Sequence, residues 1–142
     1  MTGRPIHNVI LGVAALLACT IGGCAKPTST HEGNVLFDDG TPVQSGSVEF
    51  RSLADGSLYA SRIAPDGSFK LTNQDGDAGC PPGDYEVVVV QIVLTEDLAA
   101  EDHEHGRTVP RRYADYYTSG LRATSAAKSD TPLRITLETS DR

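Results

Sequence analysis

The chain reads as all-β, a single sandwich of about seven strands preceded by a signal segment. Three observations predict this: short segments that alternate apolar with polar residues, turn signals between them, and little competing helical period. Val35, Leu36 and Phe37 form the first segment, closed by the hairpin signal Asp38-Asp39-Gly40. In residues 47–53, Val48 and Phe50 alternate with Glu49 and Arg51. Residues 58–63 lead into the turn Pro65-Asp66-Gly67, after which residues 68–72 put Phe69 and Leu71 on one face. Residues 85–94 are the longest strand, followed by 120–125 and 133–139. In the last of these, Leu133, Ile135 and Leu137 alternate with Arg134, Thr136 and Glu138. Residues 96–101 have room for one helical turn.

The strand 85–94 departs from simple alternation. One face carries Tyr85, Val87, Val89, Gln91 and Val93; the other carries Glu86, Val88, Val90, Ile92 and Leu94. A strand apolar on both faces is normally covered on both. Residues 95–112 follow directly and are expected to fold back over the sheet. Left bare, the outer face would be a partner surface and, over 87–93, an aggregation hazard.

The chain has 142 residues, and its first 23 form a separate unit. Arg4 supplies a basic head, residues 9–21 are almost wholly apolar, and Gly22-Gly23 closes the run before Cys24. The apolar run is shorter than the roughly 20 residues that span a bilayer. Ile21-Gly22-Gly23-Cys24 resembles the lipobox of bacterial lipoproteins. That resemblance implies a thioether diacylglycerol on Cys24, cleavage before it, and N-acylation (palmitate). Leu16-Leu17-Ala18-Cys19 is a second such pattern, but it leaves only residues 9–15 as apolar segment. Two or three acyl chains, at about 0.8 kcal/mol per buried methylene, hold durably where one does not. Ala25 rather than Asp after the lipidated residue implies, by likeness to lipoprotein sorting, the outer membrane or cell surface, with the periplasmic face as the other option. Residues 24–32 are polar and read as a lipidated tether of at most about 27 Å.

From Cys24 onward 119 residues remain, enough for one domain that needs no staple. Arg4 is the only Lys, Arg, Asp or Glu in residues 1–23, so the mature chain has 11 basic against 19 acidic residues. That acidity excludes a nucleic-acid partner. With Cys24 lipidated and Cys19 removed, Cys80 is the last thiol and no internal disulfide can form. Cys80 is either a small buried hydrophobe or an exposed thiol able to pair between chains.

Residues 33–139 also resemble a family. Gly33-Asn34-Val35-Leu36-Phe37-Asp38-Asp39-Gly40-Thr41-Pro42-Val43 is similar to the opening of carboxypeptidase regulatory-like, transthyretin-like domains. Gly46-Ser47-Val48-Glu49-Phe50 is similar to their second strand, Asp66-Gly67-Ser68-Phe69 to their hairpin, and Pro82-Gly83-Asp84-Tyr85-Glu86-Val87 to the lead-in of their long strand. Val109-Pro110-Arg111-Arg112-Tyr113 with Thr118-Ser119-Gly120-Leu121 resembles a segment of small bacterial lipoproteins carrying this domain. The resemblance implies a prealbumin-type sandwich acting as an accessory module without catalytic residues or cofactor. The hydroxyisourate hydrolases of similar fold carry a Tyr-Arg-Gly-Ser signature, and Leu137-Glu138-Thr139-Ser140-Asp141-Arg142 does not match it.

No nucleophile elbow, phosphate loop or dinucleotide fingerprint occurs. His103-Glu104-His105, after Glu101-Asp102, is the best metal candidate, but a firm zinc site needs three or four ligands. Asn73-Gln74-Asp75-Gly76-Asp77 resembles the start of a calcium loop, with Ala78 at its sixth position and Asp84 at its twelfth. Arg107, Arg111 and Arg112 balance the acidic half of their loop or meet an anionic surface. The expected function is therefore a non-catalytic, lipid-anchored binding or structural module of the cell envelope, whose partner is an envelope protein or glycan. The alternatives are a carbohydrate-binding or adhesion module using Tyr59, Tyr113, Tyr116 and Tyr117, and a metal carrier using His103 and His105.

Overall fold

A computed structural model describes residues 32–92, 106–127 and 131–139. Among them are seven strands: β1 (Glu32–Phe37), β2 (Ser47–Ser52), β3 (Leu58–Arg62), β4 (Ser68–Lys70), β5 (Gly83–Val90), β6 (Leu121–Ser125) and β7 (Leu133–Leu137). They form two sheets, ordered β4-β1-β7 and β3-β2-β5-β6. The chain is an all-β sandwich, as its alternation predicts. β1 lies antiparallel to β4 and parallel to β7, with Val35 opposite Ile135 and Phe37 opposite Leu137. The other sheet is antiparallel throughout.

The pleat sends Val35, Phe37, Ile135 and Leu137 inward from one sheet and Val48, Phe50, Tyr85, Val87 and Val89 from the other. Phe50 sits at the middle, its ring 5.8 Å from Phe69 and 6.0 Å from Tyr85. Aspartates organise the turns. Asp39 Oδ1 accepts from the Thr41 amide at 2.9 Å, and Asp66 Oδ1 accepts from the Ser68 amide at 2.9 Å. Gly67 adopts φ +81°, and a Cβ there would stand 2.7 Å from the Val35 carbonyl oxygen. That turn therefore needs glycine for both conformation and space.

Several bounds differ from the sequence reading, each for a reason of pairing. β1 opens at Glu32, one residue inside the expected tether, because Glu32 pairs with Lys70 in both register and charge. β5 stops at Val90, with Gln91 and Ile92 outside the ladder; Val93 and Leu94 of the expected strand lie outside the described residues. The partner strand β2 begins at Ser47 opposite Val90, and Gly46 at φ +115° turns the chain away. Gln91 leaves the ladder and uses its side chain instead. Its Nε2 donates to Ser45 Oγ at 2.9 Å and its Oε1 accepts from the Val109 amide at 2.9 Å. β7 stops at Leu137 because β1 ends at Phe37, and the Asp38 amide closes on the Leu137 carbonyl at 2.8 Å.

Helical turns form over residues 111–119, at the end of the expected cover and in a stretch given no element by the sequence reading. A 3-10 turn (Arg111–Ala114) is followed by α1 (Tyr116–Ser119). Asp115 caps α1 by accepting from the Tyr117 amide at 2.7 Å, and Gly120 ends it at φ +63°. These turns pack on β5 and leave Val88, on its outward face, only 4 % exposed. The described cover is thus residues 111–119, which overlaps the expected 95–112 only at Arg111 and Arg112; residues 95–105 lie outside the described residues. The single turn expected at 96–101 lies outside the described residues.

Candidate functional site

A cluster of charged and aromatic side chains lies on the outer face of the four-stranded sheet. Alternation in β2 puts Glu49 and Arg51 opposite to the inward Val48 and Phe50. Pairing then sets Arg51 beside Glu86 of β5, and Glu86 beside Arg122 of β6, in one row across three strands. Arg51 Nε donates to Glu86 Oε2 at 3.1 Å, with its Nη2 on the same oxygen, and Arg122 Nη1 meets Glu86 Oε1 at 2.6 Å. α1 lays Tyr116 over the row. The Arg51 guanidinium carbon is 3.8 Å from the Tyr116 ring centre, and the Tyr116 hydroxyl donates to Glu49 Oε1 at 2.7 Å.

The electrostatics follow from this packing. Hydrogen bonds from Arg51 and Arg122 hold the Glu86 carboxyl below its ordinary range. Burial, then the bond to Glu49, pushes the Tyr116 phenol up. An ionised Glu86 shared by two guanidiniums is a weak base, and a phenol held protonated is a weak nucleophile. The arrangement is an electrostatic clamp that fastens α1 to the sheet. Sequence alternation places these residues on outward faces; the row itself depends on register between strands 35 residues apart.

The residues singled out from sequence are dispersed. Cys80 is fully buried; burial pushes its thiol up, partly offset by hydrogen bonds with Ser125 and Tyr85. It packs as a small hydrophobe, which answers the question its sequence left open. Asn73 spends its side chain on its own turn: Oδ1 accepts from the amides of Asp75 at 3.0 Å and Asp77 at 2.8 Å. Among the described residues no group of three or more His, Cys, Asp or Glu could hold a metal ion. Arg107 pairs with Asp39 at 2.8 Å and lies over Phe37, while Arg112 reaches the Tyr113 hydroxyl at 2.8 Å and Glu138.

The four tyrosines do not form one platform. Tyr113 is buried at 3 % exposure, and Tyr59 packs edge-on against Tyr85 at 5.9 Å. Tyr116 is engaged by the clamp, which leaves Tyr117, 95 % exposed, as the open aromatic of that set. A groove of about 530 Å³ opens where the chain leaves β5, lined by Gln44, Ser47, Arg62, Pro65, Val90 and Ile92 among others. Cys19, Cys24, His103 and His105 lie outside the described residues. No helix among the described residues is long and apolar enough to cross a membrane.

Fold and site together define a β-sandwich module with a clamped outer face. Comparison with protein-family models, curated proteins and solved structures finds no match to this chain.

Proposed function

We propose that this chain is a non-catalytic lipoprotein of the cell envelope, a binding or structural module held to the membrane through Cys24. One observation carries the reading: the basic head and apolar run end in Ile21-Gly22-Gly23-Cys24, and β1 opens at Glu32 shortly after. The link from the lipidated residue to the first strand reaches roughly 27 Å at full extension. The sandwich would therefore ride close to the bilayer surface.

The likeness to carboxypeptidase regulatory-like domains supports the module reading. Its quoted motifs fall in order on structural landmarks: β1 with its turn, the start of β2, the turn before β4, the lead-in of β5, and the helical cover before β6. Those residues build strands and turns, which suits an accessory module.

The test is processing and acylation in the native host or a bacterial host with the lipoprotein pathway. Globomycin should make a precursor accumulate, and labelled palmitate should enter the wild-type chain but not Cys24→Ser. Palmitate retained in Cys24→Ser and lost in Cys19→Ser would move the attachment to Cys19. An unchanged chain size under globomycin, with no label, would overturn the lipoprotein reading.

A further inference from the structure

We propose that Asp75-Gly76 is a site of spontaneous aspartate isomerisation, selected by the fold from four chemically equivalent Asp-Gly pairs. The pairs are Asp39-Gly40, Asp55-Gly56, Asp66-Gly67 and Asp75-Gly76. Each is a tight turn, and in each the following glycine lacks the Cβ that would hinder attack on the aspartate.

The reaction needs a carboxyl group free to swing onto the next amide nitrogen. With the Asp75 carboxyl group protonated from solvent, the Gly76 nitrogen attacks its side-chain carbon, and the amide proton leaves with the carboxyl OH as water. The product is a five-membered succinimide. Water then adds at either imide carbonyl. Opening at the side-chain carbonyl restores aspartate; opening at the main-chain carbonyl gives isoaspartate, with the backbone running through the former side chain. One water leaves and one returns, so mass and oxidation state are unchanged.

Three of the four carboxylates are tied down. Asp39 accepts from the Thr41 amide at 2.9 Å and pairs with Arg107. Asp55 accepts from the Ser57 amide at 3.0 Å. Asp66 accepts from the Ser68 amide at 2.9 Å and the Ser68 hydroxyl at 2.6 Å. Asp75 differs: Asn73 Oδ1 takes the Asp75 and Asp77 amides, so the neighbouring asparagine organises this turn. Among the described residues the Asp75 carboxylate has no hydrogen-bond or ion-pair partner, and Asp75 and Gly76 are exposed.

The nucleophile is also least restrained here. The Gly76 amide donates to the Asn73 carbonyl at 3.1 Å, against 2.9, 2.9 and 2.8 Å for the corresponding bonds of Gly40, Gly56 and Gly67. A Cβ at Gly76 would meet nothing within 4 Å, as at Gly40 and Gly56, so these turns have space to reorganise. Gly67, by contrast, sits against Val35 and Pro42.

The experiment is ageing of the full chain in detergent at neutral pH and physiological temperature. Peptide mapping with electron-transfer fragmentation and isoaspartyl methyltransferase labelling reads each site. Isoaspartate is expected at Asp75 several-fold faster than at Asp39, Asp55 or Asp66. In urea, where the turns are lost, the four rates should converge, and Asp75→Glu should remove the folded-state signal. Equal or faster conversion at any other pair in the folded chain would overturn the proposal. So would an Asp75 preference that persists undiminished in urea, since local sequence would then be the cause.

Discussion

Arg51 and Glu86 stand directly opposite each other on β2 and β5, and the Arg51 guanidinium is held between the Glu86 carboxylate and the Tyr116 ring. This one relationship joins the sheet to the helical turn that covers it. Glu86→Gln removes the charge shared by Arg51 and Arg122. We expect a lower melting temperature at neutral pH and faster amide exchange in residues 116–119. The Glu86 carboxyl titrates below its ordinary range in the folded chain, so its contribution is full above the unfolded value. It fades as pH falls through the lowered one. Wild type and Glu86→Gln should therefore converge in acid; a gap that persists there would place the effect elsewhere.

Asp39 makes a second acid-sensitive contribution. The Thr41 amide and hydroxyl, then Arg107, push its carboxyl down from 3.8 to about 2. The stabilisation is complete above the higher value and is lost as pH falls through the lower. Asp39→Asn should flatten the acid limb of the stability curve between them, measured by denaturant melts at stepped pH.

Tyr113 ties the 3-10 turn to the end of β7. Its hydroxyl accepts from the Glu138 amide at 2.8 Å and from Arg112 at 2.8 Å, with the ring buried. Tyr113→Phe keeps the ring and removes the acceptor of the Glu138 amide, while Arg112 keeps the Glu138 carbonyl at 3.1 Å. A loss of roughly 1–2 kcal/mol in urea unfolding is expected, with an unchanged m-value.

Gly46→Ala tests why β5 ends where it does. At φ +115° an alanine is strained, and its Cβ would stand 2.5 Å from the Val90 carbonyl oxygen. The cost should be of order 1–3 kcal/mol. Gly56→Ala, at φ +74° with open space around it, should cost less.

Cys80 should be kinetically silent. It is fully buried, and burial pushes its thiol up, so the thiolate that reacts is scarce at neutral pH. A maleimide or disulfide reagent should label it only as fast as the chain unfolds. Rapid labelling in native buffer would contradict the packing around Tyr85 and Ser125.

Much of the fold is legible in the sequence because alternation and turn chemistry are local. Val48, Phe50, Phe69, Val87, Ile135 and Leu137 declare the inward faces by their spacing alone, and Asp66-Gly67 declares its turn. The clamp was only half legible. The outward placement of Glu49 and Arg51 follows from alternation, but which partner each meets does not.

Alternation and turn chemistry establish the β-sandwich, the place of most strands and the faces that turn inward, and residues 21–24 carry the motif on which the anchoring proposal rests. The parallel pairing of β1 with β7, the end of β5 at Val90, and the row of Arg51, Glu86 and Arg122 beneath Tyr116 come from the folded chain alone. The physical reason is range. Side-chain alternation is set by the pleat of a single strand, whereas register, strand ends and cover are set by whichever distant segment supplies the facing hydrogen bonds.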